Sequence, residues 1–103
     1  MPRRRAIECL AEPNEVFNYI ASGGIKDLNV DEVDRSAKVI TLRAPFSLLS
    51  WGEKIELTIN QSNVGSIIVF RGSSVHPINP TADVKGAMGK IIKSLKNQFE
   101  IVD

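Results

Sequence analysis

Cysteine and histidine are almost missing from this chain: Cys9 and His76 each stand alone. One thiol cannot close an internal disulfide, and neither residue has a companion at metal-ligand spacing. A disulfide scaffold and a zinc centre are thereby excluded. A surplus of one charge is missing too. Thirteen basic residues face twelve acidic ones, so no global field draws the chain to nucleic acid or to an anionic membrane. No apolar run approaches the roughly 20 residues that cross a bilayer. The basic start "MPRRRAIECLAEP" is interrupted by Glu8 and Glu12 before it could form the apolar core of a signal peptide. Walker loops, nucleophile elbows and dinucleotide fingerprints do not occur. The expectation is a cytoplasmic protein that is not an enzyme and needs no cofactor or metal.

What is present points to a single α+β domain over 1–103, long enough to bury one core without staples. "RRRAIECLA" alternates, with Ile7 and Cys9 on one face, and reads as an edge strand. "EPNEVFNYIASGG" reads as a short helix. Pro13 suits its first position, Val16, Phe17 and Ile20 form one apolar stripe, and Gly23-Gly24 stops it. Strands follow at "DLNVDEV" and "KVITLRA", then at "WGEKIELTINQ", where Trp51, Ile55, Leu57 and Ile59 share a face. "SIIVFRGSS" is apolar on both faces and reads as central. Asn79 and Pro80 open a long helix reaching Phe99, with Val84, Met88, Ile91, Ile92, Leu95 and Phe99 in one stripe.

The order is β-α-β-β-β-β-α, an antiparallel meander of hairpins between two helices. One apolar stripe per helix and one apolar sheet face are best buried together, in a two-layer sandwich of four to five strands with both helices on one face. The other face is left for solvent or a partner.

"AIECLAEPNEVFNYIASGG" resembles the opening of helix-grip (START-like) domains. "SWGEKIELTI", then "GSIIVFRGSSVHP", an aspartate and a long helix look like a widespread group of small bacterial domains with a Ser-Trp-Gly-Glu strand start. That resemblance implies a fold like the TATA-binding-protein half, a reduced relative of the helix grip. The chain departs from the group at "DVKGAMGKI", where related sequences carry a Gly-Lys-Asn run. No activity comes with the resemblance.

Three readings of function follow. In one, a small apolar ligand is held between sheet and helices, with Trp51, Glu53, Leu57, Phe70 and Met88 as the residues that contact it or a partner. So short a chain leaves little spare volume for the roughly 300 Å³ that such a pocket needs. The free sheet face is therefore ranked slightly higher, as a surface for a protein partner or a homodimer. The third is nucleic-acid binding. Gly86, Gly89, Lys90 and Lys93 match the spacing of the KH glycine loop, which clamps a nucleic-acid backbone. The competing structural readings make Trp51 a core aromatic and let the two glycines pack a helix closely on the sheet. The lysines then form a solvated face. Arg3, Arg4 and Arg5 read as a cation cluster at a frayed end.

Overall fold

The structure is a computed structural model that describes residues 3–26, 28–43, 54–73 and 84–102. Its elements are β1 (Arg3–Cys9), α1 (Pro13–Ala21), β2 (Asn29–Asp34), β3 (Val39–Arg43), β4 (Lys54–Gln61), β5 (Ser66–Ser73), α2 (Val84–Gln98) and β6 (Ile101–Val102). The strands form one six-stranded sheet in the order β2-β3-β4-β5-β1-β6, every pair antiparallel. Two expectations change here. The sheet has six strands instead of four or five, and β1 is not its edge. β6 covers the end of β1, pairing Glu8 with Val102 and Cys9 with Ile101. The N-terminal arginines likewise belong to β1, with Arg3 opposite Gly72 of β5. Trp51, Glu53, His76, Asn79 and Pro80 lie outside the described residues.

Register carries the alternation of each strand across the sheet. Ile7, Ile68 and Ile59 stand in one row, and Phe70, Leu57 and Ile40 in the next. All six are buried, and they share one core with Val16, Phe17 and Ile20 of α1 and with Met88, Ile91, Ile92 and Leu95 of α2. Both helices therefore lie on the same face. On the opposite face, the rows through Glu56 with Arg71 and Thr58 with Val69 are only partly covered. At about 25 cal/mol per Å², burying a Leu or Phe side chain stabilises by roughly 1.5–3 kcal/mol, so this core is the main source of stability.

Local chemistry sets the ends of the elements. Pro13 opens α1, and the first helical hydrogen bond runs from Val16 N–H to the Glu12 carbonyl at 3.1 Å. At the other end, Gly23 takes φ +88°, which lets Gly24 N–H reach the Tyr19 carbonyl and Gly23 N–H the Ile20 carbonyl. Those two bonds are the paired closure of a Schellman cap. The Asp34 carboxylate accepts from the N–H groups of Ser36 and Ala37 and from the Ser36 hydroxyl, fixing the turn between β2 and β3. That turn is docked on α1: Arg35 and Lys38 lie over the Phe17 ring at 5.4 and 5.0 Å. At the β4–β5 turn, a Cβ on Gly65 would meet the Cys9 carbonyl at 2.5 Å, so only glycine lets the turn close on the β1–α1 connection. Ser66, fully buried, seals the same junction by donating its hydroxyl to the Ala11 carbonyl at 3.0 Å.

Candidate functional site

Leu57, Phe70 and Met88 are brought together, as the sequence suggests, but in the interior. Leu57 faces Phe70 across β4 and β5, and the exposures of the three are 0, 0 and 4%. At these three residues the described core is closed, while Trp51 and Glu53, the other two residues expected to line a ligand there, lie outside the described residues.

Gly86 and Gly89 fall in the first turns of α2, which runs without interruption from Val84 to Gln98. A KH clamp needs those glycines in a loop between two helices, and here they are helical. Close packing does not explain Gly89 either, because a Cβ placed on it would have nothing within 4 Å. Lys90 and Lys93 are both exposed on the same helix.

Besides a small opening of about 150 Å³ on the other sheet face, at Glu56, Thr58, Val69 and Arg71, two larger clefts are formed by the described residues. One cleft of about 720 Å³ lies between the start of α1 and the β4–β5 hairpin, lined by Glu12, Asn14, Lys38 and the turn residues Ser62 to Gly65. Its cation is already engaged, since Lys38 donates to the Asn14 side chain and lies over Phe17. The second cleft, of about 570 Å³, is the more organised of the two. It is lined by Tyr19, Gly24, Lys26, Lys90, Lys93, Ser94 and Asn97.

Its construction follows from helix geometry. Lys90, Lys93, Ser94 and Asn97 recur at spacings of three and four, so they share one face of α2. Opposite them stand Tyr19 from the last turn of α1 and Lys26 from the α1–β2 connection. The floor is tied by hydrogen bonds. The Tyr19 hydroxyl donates to the Gly24 carbonyl at 3.0 Å, the Ser94 hydroxyl donates to the same carbonyl at 3.3 Å, and the two hydroxyl oxygens are 3.3 Å apart. The Tyr19 ring stands edge-on to Phe99, centroids 5.3 Å apart and planes at 86°. Gly24 is needed beneath that ring, since a Cβ there would come within 2.6 Å of it.

The arrangement offers cations, hydroxyl groups and one aromatic wall. It has no carboxylate and no imidazole among the described residues that line it. Among the described residues, no group of three or more His, Cys, Asp or Glu could hold a metal ion, and no helix is long and apolar enough to cross a membrane. Cys9, the lone thiol, is buried in the core. Hydrogen bonds from Ala37 N–H, and then from Ser36, hold the Asp34 carboxyl below the usual range. It serves a turn and takes no part in either cleft.

Of the cleft's residues, sequence reasoning singled out Lys90 and Lys93, for a different partner. Tyr19, Lys26, Ser94 and Asn97 were missed. The spacing of 90, 93, 94 and 97 is a legible stripe, but nothing in the sequence says which element lies against it.

No family model and no curated protein matches this chain. Among solved structures it is similar to Ara h 8.0201, with a TM-score of 0.64 and 10% identity over 95% of this chain and 96% of that one. It is also similar to the Arabidopsis thaliana protein At1g70830, a member of the major latex protein family. There the TM-score is 0.65 at 10% identity, over 97% of this chain and 92% of that one. At such identity the likeness is one of fold, and it agrees with the helix-grip arrangement of an antiparallel sheet and a long terminal helix.

Proposed function

We propose that this protein is a small non-catalytic binding module, and that its ligand sits in the cleft between α1 and α2 instead of between helices and sheet. The observation that carries this reading is the 570 Å³ opening, where hydroxyl, amide and ammonium groups from α1, the α1–β2 connection and α2 converge. Its volume falls in the range of about 300–1,000 Å³ typical of small-molecule sites. The core beneath it supplies a rigid base, with Ile91 and Leu95 at 0% exposure on the sheet-facing side of the same helix. A binding role fits better than catalysis, because general acid–base chemistry is carried most often by His, Asp or Glu, and none of these stands among the described residues of the lining.

The test is a screen of drug-sized organic fragments by amide NMR. Binding should shift Tyr19, Gly24, Ser94 and Asn97 together, in preference to Val64 and Gly65 of the hairpin cleft. If no fragment moves these amides at millimolar concentration, or if every shift falls on Leu57, Phe70 and Met88, the proposal fails.

A further inference from the structure

The lysines of this cleft bear on what it takes, an inference that rests on the binding reading above. Lys26, Lys90 and Lys93 surround one opening with three cations, and no acidic residue stands among the described residues that line it. The chain as a whole is nearly neutral, with thirteen basic and twelve acidic residues. The local excess is therefore a matter of placement, not of composition.

Two ordinary tasks for such lysines do not apply. The first is ion pairing: Asp31 takes Arg43 and Lys54, and among the described residues no acid pairs with Lys26, Lys90 or Lys93. The second is capping of α1, whose last carbonyls would attract cations. Three of them, on Asn18, Tyr19 and Ile20, are already served. Asn18 accepts from Ser22 N–H and Ile20 from Gly23 N–H. Tyr19 accepts from Gly24 N–H and from the Ser22 hydroxyl. The Gly24 carbonyl accepts from both Tyr19 and Ser94. Like charges gathered at one mouth repel each other, and an anion seated among them removes that repulsion.

We infer that the cleft binds an organic phosphate monoester, its phosphoryl group held by Lys26, Lys90, Lys93 and Ser94 and its organic body laid against the Tyr19 ring. A phosphate monoester near neutral pH carries close to two charges and three terminal oxygens, which suits three ammonium groups plus a hydroxyl. A carboxylate, with one charge and two oxygens, leaves part of that set unused. Ser94 is free to turn toward the ligand. If its proton leaves the Gly24 carbonyl, Tyr19 still bonds that oxygen, and no buried acceptor is orphaned.

Phenyl phosphate, benzoate, phenol and inorganic phosphate, titrated separately and followed by amide NMR, test this. Phenyl phosphate should shift Tyr19, Gly24 and Ser94 saturably, at least about tenfold more tightly than phenol, in line with hydrogen bonds to a charged group. Its affinity should fall as salt rises, because the lysines are exposed. The double variant Lys90→Gln/Lys93→Gln, with an unchanged Tm, should lose about tenfold or more. Phenol binding as tightly as phenyl phosphate would overturn the inference and leave the cleft reading standing. Benzoate doing so would overturn the choice of phosphate, and inorganic phosphate doing so the role of the organic body. Wild-type affinity in the double variant would overturn the assignment to these lysines. If none of the four probes moves a cleft amide while other fragments do, the inference alone falls. If nothing moves them, the binding reading falls with it.

Discussion

Replacing Gly89 by alanine isolates a single physical effect. Gly89 lies on an exposed part of α2, between buried Met88 and exposed Lys90. Its backbone is helical, and an added Cβ would touch nothing within 4 Å. No contact is gained or lost in the folded state, so the change acts through chain entropy. Glycine gives up more backbone freedom than alanine on entering a helix, a difference of about 0.8–1.0 kcal/mol. Gly89→Ala should stabilise the protein by that amount. For a domain near this size, each kcal/mol raises Tm by roughly 4–8 °C. Urea unfolding followed by circular dichroism gives an independent reading. With m of about 1–3 kcal/mol/M, the midpoint should rise by roughly 0.3–1 M while m stays constant. A neutral or destabilising result would refute the reasoning. It would mean that the position is held by something other than helix entropy.

Tyr19→Phe removes the hydroxyl that bonds the Gly24 carbonyl and Ser94 but keeps the ring against Phe99. Denaturant unfolding should show a loss of about 0.5–1.5 kcal/mol, and no loss would mean that the hydroxyl network is idle. Phe70→Ala empties a fully buried site at the centre of the sheet and should destabilise by about 3–5 kcal/mol. A loss below about 1 kcal/mol would show a core loose enough to collapse around the gap. Asp34 has a folded pKa below its unfolded one, so its contribution is present at neutral pH and is lost as pH falls through the folded value. The stability gap between the wild type and Asp34→Asn should therefore be open at pH 7 and close below about pH 4. A gap that widens on acidification would contradict the hydrogen-bond assignment.

Much of the architecture was legible because its signals are local. The alternation from Lys54 to Asn60 marks β4 and its buried face, and the stripe through Met88, Ile91, Ile92 and Leu95 marks the sheet-facing side of α2. Pro13 and Gly23 bound α1 through fixed backbone preferences. β6 escaped notice because Ile101–Val102 is too short to show any period. Its pairing also depends on where α2 sends the chain, as Leu10 N–H bonding the Glu100 carbonyl shows. The cleft was illegible for a similar reason. Tyr19, Lys26 and Lys90 meet only after both helices have docked on the sheet, and no local pattern encodes that meeting. The two glycines of α2 suggested a loop because their spacing matches one, whereas the apolar stripe on either side of them prevails and keeps the helix whole.

The strand order also bears on how the molecule assembles. A ribosome releases β1 first, yet its neighbours β5 and β6 emerge last, with Arg3 waiting for Gly72 and Glu8 for Val102. The hairpins from β2 to β5 join near neighbours and can close as soon as they are synthesised. Until the distant partners arrive, Ile7 and Cys9 stay uncovered, although both are buried in the finished protein. Closing so long a loop is entropically slow. The insertion of the first strand, and not the folding of any hairpin, should therefore set the refolding rate and be the stage most in need of a chaperone.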